Sequence, residues 1–115
     1  MRAVLVVVCL LLSAATASAE MTVKDFLARF DRANASDKEF LQTMLGQVDI
    51  GLGWANSRLG FLKRPKLYCE AGNVALTDAQ VLAVLRRQSE RKPIILQAPY
   101  GLGLLMAFEE EFRCP

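Results

Sequence analysis

The sequence predicts a small all-α domain of four helices with one intrachain disulfide. Three observations lead there. Four segments repeat apolar residues at helical spacing, several of them open on capping residues, and no stretch alternates strongly enough to read as a strand.

The first nineteen residues read as a signal peptide outside that fold. Arg2 supplies the positive start, "AVLVVVCLLL" (3–12) the apolar core, and Ala17-Ser18-Ala19 a small-x-small cleavage site. The run is shorter than the roughly 20 residues that span a bilayer. Cleavage before Glu20 is expected, leaving one domain over 20–115 in the periplasm with no membrane association. An uncleaved N-terminal membrane helix is the alternative.

In the first helix (22–33), Val23, Phe26, Leu27 and Phe30 make one stripe, and Thr22 with Asp25 resembles a capping box. In the second, Ser36 and Glu39 form an S-x-x-E box. Its stripe runs Phe40, Leu41, Met44, Leu45, Val48, Leu52, Ala55, Leu59. Gly46 and Gly53, seven residues apart, share a face. They imply a close helix–helix approach, or else the helix breaks or kinks near Gly51. Residues 59–73, with Gly60, Pro65, Gly72 and Asn73, read as a loop.

Thr77 with Gln80, and Leu76 with Val81, start the third helix as capping box and hydrophobic staple. Val81, Leu82, Val84 and Leu85 are its apolar side. Arg86, Arg87, Arg91 and Lys92 suit the negative end of its dipole, and Pro93 stops it. "PIILQ" (93–97) is expected to be an extended connector. The last helix opens at Pro99 and turns Leu102, Leu105, Met106 and Phe112 inward. Glu109, Glu110 and Glu111 fall at the end where the dipole disfavours acids. They either meet the arginines after the third helix or form a solvated patch.

Removing the signal peptide removes Cys9 and leaves Cys69 and Cys114. An even count in an exported chain reads as a disulfide. Closing a loop of 45 positions contributes about 4 kcal/mol in the chain-entropy account. Free thiols or an intermolecular bridge are the alternatives.

The chain has no histidine, and its 14 Lys+Arg nearly balance 12 Asp+Glu. The usual general base and metal ligand are missing, and no basic excess points to nucleic acid. Ser36 is taken as a cap, and Ser57 and Ser89 have no evident base. The "GLG" pairs lack the strand–turn–helix setting of a dinucleotide site. The sequence offers no catalytic residue, metal set or cofactor, and reads as a non-enzyme.

"LGQVDIGLGWA", "LYCEAGNVALTDAQVLAVLRRQ", "KP" and "APYGLGLLMAFEEEFRCP" together resemble the Rap/Tai immunity-protein family over roughly residues 38–115. Those exported helical proteins neutralise peptidoglycan amidases of type VI secretion. The chain departs from the family pattern at "YCEAG", which lacks a proline, at the "FRCP" ending, and in having no N-terminal cysteine pair. The resemblance implies a binding protein that occludes the cleft of a periplasmic amidase effector, and a homodimer. The small-residue face at Gly46, Gly53 and Ser57 is one candidate contact for that dimer. The alternative is a periplasmic acid-stress chaperone, or another exported binding domain without an amidase partner.

The expected partner surface is "GFLKRPK" (60–66). Phe61 and Leu62 form an apolar tip, and Lys63, Arg64 and Lys66 a cationic rim, with Pro65 limiting the loop's freedom. In the competing reading, Phe61 and Leu62 cap the core and the cations are merely solvated.

Overall fold

A computed structural model describes residues 20–70 and 75–115. The expected signal peptide, 1–19, lies outside the described residues. The domain is all-α: α1 spans Val23–Arg32, α2 Ala35–Phe61, α3 Asp78–Arg91 and α4 Tyr100–Glu111.

Each start has a local cause. The Thr22 hydroxyl accepts the Asp25 N–H at 3.2 Å, opening α1. Thr77 and Gln80 make the full reciprocal box at α3, at 3.2 and 2.9 Å. The expected box at Ser36 is not the start of α2. Asn34 caps that helix, its Oδ1 accepting the Asp37 N–H at 2.9 Å, so Ser36 and Glu39 lie inside it. Asn is as strong a cap as Ser, and Asn34 follows directly on Ala33, where α1 ends.

Helix α2 continues unbroken through Gly51 for 27 residues, about 40 Å. Gly46 carries the close approach: a Cβ there would collide with the carboxylate of Asp78 at the start of α3, whereas Gly53 faces open space. A second close approach is at Gly103, where a Cβ would run into Val23. That lets α4 lie against the first turn of α1. The same junction is tied by backbone bonds from Val23 N to Ala98 O (2.9 Å) and from Tyr100 N to Met21 O (2.8 Å).

"PIILQ" is a 3-10 helix, Pro93–Gln97, instead of an extended connector. Pro93 provides its fixed first φ. Ile95 is fully buried while Ile94 is exposed. Helix α3 packs against both α2 and α4. The core gathers Phe26, Leu41, Leu45, Val81, Leu85, Ile95, Leu104 and Phe108 from every helix.

Several apolar residues expected inside are outside. Leu102 is 52% exposed, because Gly103, Leu104, Ala107 and Phe108 form the buried face of α4. Ala55 is exposed, and Phe40 is 60% exposed. Leu41 and Leu45 define the inward face of α2, and a residue one step before Leu41 is rotated about 100° from it. The glutamates at the end of α4 meet cations. Glu111 accepts from Arg87 at 2.6 Å and from Gln88 at 2.5 Å, and Glu110 pairs with Lys92 and Arg113. Glu109 is exposed.

Candidate functional site

The last residue of α2 and the segment after it form a fixed knuckle, residues 61–67; the loop expected from residue 59 begins only after Phe61, because α2 runs on through Leu59 and Gly60. At its entry the Lys63 N–H donates to Gly60 O at 3.0 Å and the Arg64 N–H to Leu59 O at 2.9 Å. This is the paired bonding of a Schellman stop, whose left-handed position glycine normally fills. Here it is Lys63, at φ 53°, a conformation that costs a side-chain-bearing residue about 1 kcal/mol. Pro65 follows at the usual place for a residue that bars further helix.

The exit is held more firmly. Asn56, on the inner face of α2 and 9% exposed, grips the returning chain with both ends of its amide. Its Nδ2 donates to Tyr68 O at 2.7 Å, and its Oδ1 accepts from Leu67 N at 2.8 Å. Tyr68 is 1% exposed and packs on Phe108 and Phe112, with ring centroids 5.1 and 6.4 Å away. The Cys69 N–H then donates to Phe112 O at 2.7 Å, and Cys69 bonds to Cys114 within the chain. The disulfide therefore anchors the root of the knuckle to the end of α4.

At the tip, Phe61 is 79% exposed and Leu62 43%. Neither belongs to the core or packs against it, so they do not cap it. Arg58 lies 5.4 Å from the Phe61 ring centroid in a cation–π contact. The Lys66 side chain passes over Gly60, where a Cβ would come within 3.3 Å of its Cε. Among the described residues, no carboxylate pairs with Arg58, Lys63, Arg64 or Lys66, whereas Arg86, Arg87, Lys92 and Arg113 are all in ion pairs. The structure thus brings together Phe61, Leu62, Lys63, Arg64 and Lys66 as one exposed, cationic tip.

The charge reverses behind the tip. Burial, then Glu70 and Asp78, pushes the Asp49 carboxyl above its ordinary range. Burial, then Glu70 and Asp49, pushes the Tyr68 hydroxyl up to about 12. That hydroxyl is buried without a hydrogen-bond partner among the described residues. Elsewhere, an open groove of about 220 Å³ between α1 and α3 is lined by Leu27, Asp31, Arg86, Ser89, Glu90 and Leu96. The Asp31–Arg86 ion pair lies in it, and it is smaller than the pockets that enclose small molecules. No group of potential metal ligands is found among the described residues.

Asn56 and Tyr68 escaped the sequence reading. A polar residue one turn past Leu52 on an otherwise apolar inner face was the available signal for Asn56. Comparison with known proteins finds no matching family model, no matching curated sequence and no matching solved structure.

Proposed function

We propose that this chain is an exported binding protein that inhibits a periplasmic peptidoglycan amidase effector by seating the knuckle in its cleft. The observation that carries the reading is a large apolar ring, Phe61, held in solvent on a turn anchored at both ends. A preformed wedge loses little conformational freedom on binding. An aromatic anchor rimmed by cations is the composition of an interface hot spot, the ring filling a pocket and the charges steering the approach. Lys63 fits the same reading, since its left-handed position ends α2 and fixes where the tip turns out. The class of partner rests on the resemblance to the Rap/Tai family.

The test is protection in cells. An amidase encoded beside this chain and directed to the periplasm should lyse the cells, and co-production of the chain should prevent lysis. Phe61→Ala combined with Arg64→Glu should abolish protection without loss of helical circular dichroism. Protection by the double variant equal to wild type would sink the proposal.

The acid-stress chaperone reading draws on one observation, the exposed apolar side chains of α2. It predicts suppression of client aggregation at low pH by the same double variant that fails to protect against an amidase.

A further inference from the structure

The C-terminal half of α2 carries an apolar ridge. Ile50, Trp54 and Phe61 follow at steps of four and seven residues, which sets them within about 40° of one another around the helix. The ridge lies opposite the inner face of Leu45 and Asn56 and is about 16 Å long. Trp54 is 73% exposed and Ile50 51%. Gly51 on one flank and Gly53 on the other have nothing within 4 Å of where a Cβ would lie, so both sides of the ridge are open.

Charge is sorted along the same helix. Residues 50–69 contain Arg58, Lys63, Arg64 and Lys66 and neither aspartate nor glutamate. None of these four cations is paired with a carboxylate among the described residues. Asp49, the nearest acid in sequence, is turned about 100° from Ile50 and faces Glu70 and Asp78 instead. Glu39 does fall on the line of the ridge, but at the start of α2, about 16 Å before Ile50.

We propose that this end of α2, with the knuckle that follows it, docks on the surface of an anionic bilayer. Ile50, Trp54 and Phe61 enter the boundary between headgroups and acyl chains, and Arg58, Lys63, Arg64 and Lys66 meet the lipid phosphates. An indole suits that boundary, because its ring is apolar and its N–H can bond a headgroup. The cations lay their stems along the apolar side chains and keep their charges at the phosphates. Asp37 and Glu39 are repelled by the same surface, so the helix meets it tilted, C-terminal end down. The ridge is convex and narrow, and a fluid bilayer takes it in without a matching groove. No described helix is long and apolar enough to cross a membrane. Lying on one asks only for an apolar row with a cationic rim, a mode of contact that the expectation of no membrane association did not consider.

Trp54 is the single tryptophan of the chain and reports the docking. Protein purified as cells accumulate it should float with vesicles of equal parts phosphatidylglycerol and phosphatidylcholine, and not with vesicles of phosphatidylcholine alone. Trp54 emission should then shift to the blue and be quenched by brominated acyl chains. Salt at about 1 M, where charges are screened beyond about 3 Å, should release most of the protein. Lys63→Gln with Lys66→Gln removes two cations, each strengthening binding about five-fold, so affinity should fall about 25-fold. Trp54→Ser should weaken it about 10-fold or more. Ile94→Ser, at an exposed position on the 3-10 helix, should leave it unchanged. Circular dichroism should show every variant folded.

No flotation with the anionic vesicles overturns the proposal, and binding to soluble polyglutamate in its place assigns the face to an acidic protein. Equal binding to both kinds of vesicle overturns the role of the cations. Binding undiminished by Trp54→Ser comes from another part of the chain and overturns it as well. So does a Trp54 shielded from acrylamide before vesicles are added, because something else then covers the ridge. Every variant keeps Phe61 and Arg64, and no amidase is present, so these results are separate from the protection assay.

Discussion

Replacing Asn56 with alanine removes the clamp on the knuckle without touching any residue at its tip. Two hydrogen bonds are lost, at 2.7 and 2.8 Å. Their partners fare differently. Leu67 is 37% exposed, so water can reach its N–H, whereas Tyr68 is 1% exposed and its carbonyl is left dry. An unsatisfied buried carbonyl costs about 1–3 kcal/mol and the other bond about 1 kcal/mol. Alanine's better helix propensity returns about 0.5 kcal/mol. The net loss is between about 1.5 and 3.5 kcal/mol, equivalent to a fall of roughly 6–28 °C in Tm for a domain of this size. Thermal denaturation followed by circular dichroism, with the disulfide intact, measures it. Amide exchange at Leu67 should accelerate in parallel. A fall under about 3 °C with unchanged Leu67 exchange would show that the clamp does not hold the knuckle.

Three further outcomes follow from the same geometry. Cys69→Ser with Cys114→Ser should cost about 4 kcal/mol, a large share of a small domain's stability, and should lower Tm by well over 10 °C; an unchanged melt would remove the disulfide from the account. Tyr68→Phe deletes a buried hydroxyl that has no partner among the described residues, so urea unfolding should show stability unchanged or raised by about 1 kcal/mol; a clear loss would reveal a partner. Arg87, then Gln88, holds the Glu111 carboxyl below its ordinary range. A depressed acid stabilises the fold above its unfolded pKa, and that contribution disappears as pH falls through the folded value. Glu111→Gln should therefore lower Tm at pH 7, and the gap to wild type should close as the pH is taken down through the carboxylate range. An equal gap at pH 7 and pH 2 would contradict the sign.

Elements with strong local causes were legible in the sequence. Thr22 and the Thr77–Gln80 box open their helices because the signal lies within four residues. The Cys69–Cys114 pairing followed from an even count once Cys9 was assigned to the leader. The tip residues 62–66 were legible as a cationic loop from Gly60 before them and Pro65 among them, whereas Phe61 closes α2 and was placed in the loop too early. The start of α2 was misread because two good caps, Asn34 and Ser36, compete within three residues, and the turn out of α1 selects the first. Phe40 and Leu102 were misplaced because α2 and α4 carry apolar residues around much of their circumference, so periodicity alone does not choose the inner face. The Asn56 clamp depends on a chain segment eleven residues away returning to the helix, and no local pattern encodes that. The sequence left the glutamates two readings, and only the ends of α3 and α4 lying side by side decide for Arg87 on Glu111 and Lys92 on Glu110, while Arg113, three residues on, is a local partner of Glu110.

The central claim is that the anchored tip is the inhibitory element. It is tested most directly by the rate at which the peptidoglycan amidase that the proposed function requires, once purified, cleaves peptidoglycan as the chain is titrated in. Wild type should stop turnover at stoichiometric addition, while Phe61→Ala with Arg64→Glu, fully helical and with its disulfide closed, should leave turnover at the uninhibited rate. Equal inhibition by both proteins, or none by wild type, would contradict it.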